Sequence, residues 1–137
     1  MNETSRPRLP SVLLVEDEAL ICEMVRDTFA ESGFEVHAVC NAADALLHLA
    51  GNAPVDVLFT DINLPGELDG AALALKAREL RPELPVVFAS GRWGLLDKLA
   101  AFPNSSILRK PYSLTQACRL VMELMPATSA IGKAAAR

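Results

Sequence analysis

The chain has 137 residues, of which 51% are apolar, and a formal net charge of −4, a composition that indicates one globular domain with a substantial core. The acidic balance and the absence of a basic block argue against a nucleic-acid-binding protein. Because no apolar run reaches the roughly 20 residues of a membrane-spanning helix and the polar N-terminus lacks the apolar core of a signal peptide, we expect a cytoplasmic protein without membrane association.

Stretches typical of strands and of helices follow one another along the chain. Residues 1–10 form a polar arm with two prolines, which we expect to be mobile. Apolar runs predict five strands, at Ser11–Val15, Phe34–Val39, Val55–Thr60, Pro85–Ser90 and Ser106–Arg109. Helical spacing predicts five helices, at 17–32, 42–50 behind a cap at Asn41, 70–80 behind a cap at Asp69, 95–102, and 114–125 behind a cap at Ser113. Residues 126–137 are small and rich in alanine, so we expect a disordered tail and no output domain.

This alternation of strands and helices predicts a single α/β domain over residues 11–125. Connections of this kind produce parallel strands with helices on both faces of the sheet. Five such units suit the flavodoxin-like, doubly wound sheet with the strand order 2-1-3-4-5. In that order the first strand lies beside the third, so the residues that follow these two strands become neighbours.

Polar residues follow four of the predicted strands. Glu16 and Asp17 end the first, and Asp61 ends the third. The fourth strand ends at Ser90-Gly91 and the fifth at Lys110. Open α/β sheets bind their ligands at the carboxyl ends of the strands, so this set predicts one polar site. In it, the Ser90 hydroxyl could donate to a ligand oxygen, and Gly91 would leave room for the backbone to approach.

The predicted cluster has the chemistry of a magnesium site that can take up a phosphoryl group. Asp17 and Asp61, with Glu16 nearby, remain ionised together only beside a compensating cation, and Mg²⁺ suits such hard oxygen ligands. The backbone carbonyl of Asn63 could complete the ligand set. Asp61 can then act as a nucleophile that forms an acyl phosphate, while Lys110 supplies a positive charge for the phosphoryl oxygens.

Each residue also has an ordinary interpretation. Acids such as Glu16 and Asp17 are favoured at the start of a helix, and Asp61 precedes a Pro-Gly turn in which aspartate is common. Lys110 could be a surface lysine and Ser90 a hydroxyl at the end of a strand. The coincidence of these residues at four strand ends favours a joint functional site.

Three cysteines and two histidines lie outside this cluster. Cys22, Cys40 and Cys118 lack the spacing of metal ligands, so we expect small buried side chains in a reducing cytoplasm. His37 and His48 also lack partners at ligand spacing, and we interpret them as surface or edge residues. These residues therefore predict no second metal site.

Four motifs give the chain a family resemblance. They are VEDE after the first strand, FTDINLPG around Asp61, SG after the fourth strand, and RKPY around Lys110. Over residues 11–125 the chain resembles the receiver domain of bacterial two-component response regulators. The resemblance implies that Asp61 is the phosphoacceptor and that the phosphodonor is a sensor histidine kinase or a phosphotransfer protein.

The same resemblance implies roles for the residues around Asp61. The implied Mg²⁺ ligands are Glu16 (through water), Asp17, Asp61 and the Asn63 carbonyl. Ser90 and Lys110 are implied to sense the phosphoryl group. A cis peptide bond is implied between Lys110 and Pro111.

Three departures from the usual family pattern indicate a subgroup. Ile107 stands where the family usually has an aromatic switch residue, and the loop DINLPGELDG is one residue longer than usual. The segment PVVFASGRWG is similar to that of the "FAT GUY" group of alphaproteobacterial single-domain regulators. That likeness implies a kinase of the HWE or a related type. Without an aromatic ring at Ile107, we expect the glycine-containing segment Gly91-Arg92-Trp93-Gly94 to become ordered on phosphorylation instead.

The expected function is therefore a phosphorylated signalling protein rather than an enzyme, acting through altered protein binding or as a phosphate sink. One alternative is a degenerate receiver that binds partners without phosphorylation, although the acids and Lys110 are present. A second alternative is a phosphotransferase of the haloacid dehalogenase type. Such enzymes share an Asp-x-Asp pair, whereas in this chain the second position of that pair is Asn63.

Overall fold

A computed structural model describes residues 8–91 and 102–125. Within them, the strands are β1 (Ser11–Val15), β2 (Glu35–Val39), β3 (Val57–Asp61), β4 (Val86–Ser90) and β5 (Ser105–Arg109). The helices are α1 (Ala19–Glu31), α2 (Ala42–Ala50), α3 (Gly70–Leu80) and α4 (Leu114–Leu124). The residues predicted to form a switch, Arg92, Trp93 and Gly94, and the helix predicted from residue 95 fall outside the described part, as do the tail and residues 1–7.

The five strands form one parallel sheet in the order β2-β1-β3-β4-β5, which confirms the predicted fold class. β1, β3 and β4 are buried along their whole length, whereas the edge strand β2 is partly exposed. This difference explains why the three inner strands are continuous apolar runs, because helices cover both of their faces. The helices α2 and α3 pack on one face, and α1 and α4 pack on the other.

Three helices begin directly after the residues whose side chains were predicted to cap them. The Asn41 side chain accepts a hydrogen bond of 2.8 Å from the backbone N–H of Asp44, and Asp69 accepts one of 2.9 Å from Ala72. Ser113 forms a reciprocal capping box at the start of α4. Each cap satisfies backbone N–H groups that the first helical turn leaves without partners.

The predicted start of α1 at Asp17 is wrong by two residues. The helix begins at Ala19, and Glu18 occupies the capping position without a side-chain cap. The reason is local, because the Glu16 carboxylate accepts the backbone N–H of Glu18 at 3.1 Å and holds this segment in a turn. Asp17 therefore lies in the loop between β1 and α1 rather than in a helix.

The predicted start of the third strand is also wrong, because β3 begins at Val57 and leaves Asp56 outside it. Both carboxylate oxygens of Asp56 bind the Arg8 guanidinium, at 2.8 and 3.0 Å. The backbone N–H of Ser11 donates to the same carboxylate at 2.7 Å. These bonds fasten residue 8, at the end of the arm that we expected to be mobile, to the start of β3.

Side chains away from the strand ends differ in part from expectation. Cys40 is exposed, and Cys22 and Cys118 are only half-buried, so the prediction of buried cysteines is wrong for Cys40. The imidazole rings of His37 and His48 stack at 3.9 Å between centroids.

Among the described helices, none combines the length and apolar character needed to cross a bilayer.

Candidate functional site

The carboxyl ends of β1 and β3 meet at one edge of the sheet. Val15 lies opposite Thr60 in the register of the two strands, so Glu16-Asp17 and Asp61 follow as neighbours. Each of the three side chains offers a carboxylate oxygen, and these oxygens all lie within 4.8 Å of one another. Glu16 is 3% exposed and Asp61 5%, whereas Asp17 is exposed. The structure thus brings the three predicted acids together.

Two groups hold the Asp61 carboxylate in place. The ammonium group of Lys110 donates to Asp61 Oδ2 at 2.9 Å, and the backbone N–H of Asn63 donates to Oδ1 at 3.2 Å. Burial disfavours the charged lysine, but the hydrogen bond to Asp61 and its negative charge outweigh burial and raise the Lys110 pKa. The lysine therefore remains a cation beside the carboxylate.

Ser90 lies beside this pair at the end of β4. It is 2% exposed, and its backbone carbonyl accepts the N–H of Lys110 at 2.9 Å. The Lys110–Pro111 peptide bond is cis, as the resemblance implied. A Cβ atom built on Gly91 would lie 3.8 Å from Lys110 Cβ, an ordinary contact, so the described residues do not require glycine there.

The three acids carry more negative charge than Lys110 compensates. Burial raises the pKa of Glu16, and the negative charges of Asp61 and Asp17 raise it further, against the lowering effect of the Glu18 N–H and Lys110. Closely spaced carboxylates with one cation favour a further positive ion. A hard divalent ion such as Mg²⁺ fits this donor set, because all three donors are carboxylate oxygens.

Glu16→Gln should stabilise the metal-free protein in a pH-dependent way. Because the folded-state pKa of Glu16 is raised, the native state binds this proton more tightly than the unfolded chain. The stability of the wild type should therefore fall as pH rises from the ordinary glutamate pKa through the raised value. Melting temperatures measured in EDTA should show an advantage of the variant that grows over this range and then stays level. A difference independent of pH would contradict the electrostatic cause.

Gly70, which packs directly against the Asp61 backbone, was not among the predicted site residues. A Cβ atom on Gly70 would collide with the carbonyl oxygen of Asp61 and lie 2.8 Å from Ile62 Cα. The N–H of Gly70 donates to the Ile62 carbonyl at 2.8 Å. A glycine at the first position of a helix, directly after the cap Asp69, was the available signal, because helix formation alone does not favour glycine there.

The model of the response regulator receiver domain family matches residues 12–121. The chain is 34% identical to a response regulator receiver protein from Sinorhizobium medicae WSM419, whose crystal structure superposes with a TM-score of 0.80 and covers 87% of this chain and 96% of that one. It is 30% identical over 118 residues to the transcriptional regulatory protein PrrA of Mycobacterium tuberculosis, and 31% identical over 112 residues to the DNA-binding transcriptional regulator NtrC of Escherichia coli. These alignments cover 85% and 80% of this chain, which spans half the length of PrrA and 24% of NtrC.

Proposed function

The chain belongs to the response regulator receiver family, and we propose that it accepts a phosphoryl group on Asp61 from a sensor histidine kinase or a phosphotransfer protein. The observation that carries this proposal is the ion pair of Lys110 with Asp61 at 2.9 Å, directly beside Glu16 and Asp17. This ion pair supplies a nucleophilic carboxylate, from Asp61, and a cation for the phosphoryl oxygens, from Lys110. Members of this family are signalling proteins rather than classical enzymes.

In the proposed transfer, a carboxylate oxygen of Asp61 attacks phosphorus. A bond forms between that oxygen and phosphorus, and the bond from phosphorus to the donor's histidine nitrogen breaks, so the nitrogen keeps the electron pair. Lys110 neutralises charge on the phosphoryl oxygens, and the Asn63 N–H orients the carboxylate. A Mg²⁺ ion held by Glu16, Asp17 and Asp61, with the Asn63 carbonyl as a proposed fourth protein ligand, would offset the combined negative charge.

Small-molecule phosphorylation tests this function without a known kinase. The protein is incubated with acetyl phosphate, once with Mg²⁺ and once with EDTA, and its intact mass is measured. The proposal predicts one phosphoryl group per chain in Mg²⁺ and almost none in EDTA. Absence of an adduct under both conditions, or an equal adduct in both, would overturn it.

Asp17→Asn should weaken Mg²⁺ binding at least about tenfold, because it removes a full negative charge from the proposed ligand set. The variant should retain its fold, since Asp17 is exposed and its side chain makes no hydrogen bond or ion pair within the described residues. Calorimetric titration with Mg²⁺ measures the affinity, and a melt in EDTA checks the fold. Wild-type affinity in the folded variant would show that Asp17 is not a ligand.

We further propose that the phosphodonor is a kinase of the HWE or a related type. Support comes from the segment PVVFASGRWG and from Ile107, which is half-buried opposite Phe88 and has no ring that could act as a switch. Purified kinases of the HWE type and of another type, each autophosphorylated beforehand, can be compared for transfer to this chain. Faster transfer from the HWE kinase supports the assignment, and equal or slower transfer overturns it.

A further inference from the structure

Tyr112 brings a buried hydroxyl close to the acid site. It follows Lys110 by two residues and precedes the cap of α4, and its ring packs edge-on against Phe59 of β3 at 6.1 Å between centroids. Phe59 lies two residues before Asp61. The hydroxyl oxygen is buried and has no hydrogen-bond partner in the part of the chain that the structure describes. A buried polar group in this condition costs free energy and calls for a physical explanation.

The surroundings of Tyr112 limit which acceptor its hydroxyl can find. Apolar side chains of α1 and α4 line the groove beside it, among them Ile21, Val25 and Leu114, and they offer no acceptor. Burial raises the pKa of Tyr112 to about 12, and the negative charges of Glu16 and Asp61 add to the rise. The phenol therefore keeps its proton at neutral pH, and the charges that act on it belong to the acid site.

Glu16 has an oxygen available for such a donor. One oxygen of its carboxylate accepts the N–H of Glu18 at 3.1 Å, and within the described residues no donor binds the other. A carboxylate that serves a cation needs a fixed orientation, which hydrogen bonds from neighbouring groups commonly provide. The Tyr112 hydroxyl is a buried donor without a partner, and Glu16 is one of the two carboxylates whose charge acts on it.

We propose that Tyr112 is a positioning residue for the cation: when Mg²⁺ is bound, its hydroxyl donates a hydrogen bond to the Glu16 carboxylate, directly or through one water. The inference rests on the magnesium site of the proposed function. The hydroxyl then destabilises the metal-free protein, in which it has no partner, and strengthens the binding of Mg²⁺. Replacing Tyr112 with phenylalanine removes only the hydroxyl oxygen and therefore separates these two effects.

Tyr112→Phe tests the inference because it should act in opposite directions on two measurements. In EDTA the melting temperature should rise or stay level, since a buried group without a partner is removed. Calorimetric titration should show Mg²⁺ binding weaker by about tenfold, the size typical of a lost hydrogen bond to a metal ligand. Ser32→Ala is the matched control, because it removes a hydroxyl at the far end of α1 and should leave Mg²⁺ affinity unchanged. Wild-type affinity in Tyr112→Phe would overturn the inference.

A double-mutant cycle identifies the acceptor. If Tyr112 acts through Glu16, Tyr112→Phe should weaken Mg²⁺ binding when it is introduced into the wild type. The same substitution introduced into the Glu16→Gln variant should change the Mg²⁺ affinity little further. An equal factor in both backgrounds would overturn the assignment to Glu16. A wild type that binds no Mg²⁺ would overturn the magnesium site of the proposed function. Equal Mg²⁺ affinity in the wild type and Tyr112→Phe would overturn only the role of Tyr112.

Discussion

Asp61→Asn should abolish phosphoryl incorporation from acetyl phosphate in the presence of Mg²⁺. An amide is a poor nucleophile and cannot form the acyl phosphate, and the substitution also removes the charge that Lys110 contacts at 2.9 Å. Intact-mass spectrometry of wild type and variant, treated side by side, should show the adduct only in the wild type. The expected effect is complete loss, because none of the other described carboxylates is paired with a lysine.

Asp69→Asn is the matched control for this experiment. Asp69 is a second aspartate near Asp61 in sequence, and it caps α3 through a hydrogen bond to the Ala72 N–H. Asparagine caps helices about as well as aspartate, so the control should fold and incorporate the phosphoryl group as the wild type does. An adduct of equal size in Asp61→Asn and the wild type would show that another residue is the acceptor.

Gly70→Ala should lower the free energy of unfolding by about 3 kcal/mol or more, at the upper end of the cost of overpacking. The added methyl group would collide with backbone atoms of Asp61 and Ile62 rather than with a movable side chain. The backbone that carries Asp61 must shift to accommodate it, so phosphorylation should slow as well. Urea unfolding curves measure the stability, and adduct formation over time measures the rate.

Gly51→Ala provides the comparison for this second substitution. Gly51 follows α2, has a φ of −84°, and its added Cβ would lie at an ordinary 3.5 Å from the His48 carbonyl oxygen. Its unfolding free energy should therefore stay close to the wild-type value, as for most surface substitutions. Equal losses of unfolding free energy in Gly70→Ala and Gly51→Ala would mean that the close approach of Gly70 to the Asp61 backbone does not determine the destabilisation.

Local patterns in the sequence determined much of the fold. Buried strands such as β1 and β4 appear as continuous apolar runs. The capping side chains accept hydrogen bonds from backbone N–H groups three residues further along the chain, as at Asn41, Asp69 and Ser113. Strand order and the end-of-strand acids then follow from the alternation of elements. These features could be predicted because their physical causes lie within a short stretch of chain.

Contacts between distant residues could not be predicted in this way. Arg8 and Asp56 are 48 positions apart, so the apolar run alone predicts Asp56 inside a strand, although its carboxylate binds Arg8 outside the sheet. Gly70 is required by the backbone of Asp61, and the Tyr112 hydroxyl is buried by α1 and α4. Each of these depends on packing in three dimensions, and only Gly70 left a local signal, as a glycine directly after a helix cap.

The identity of the phosphorylated residue tests most directly whether Asp61 accepts the phosphoryl group. Wild-type protein phosphorylated in Mg²⁺ is treated with borohydride, which reduces an aspartyl phosphate to homoserine, and the digested peptides are sequenced by mass spectrometry. If Asp61 is the phosphoacceptor, homoserine should appear at position 61 and unmodified aspartate at positions 17, 56 and 69. Homoserine at any of those three positions, with unmodified Asp61, would contradict it.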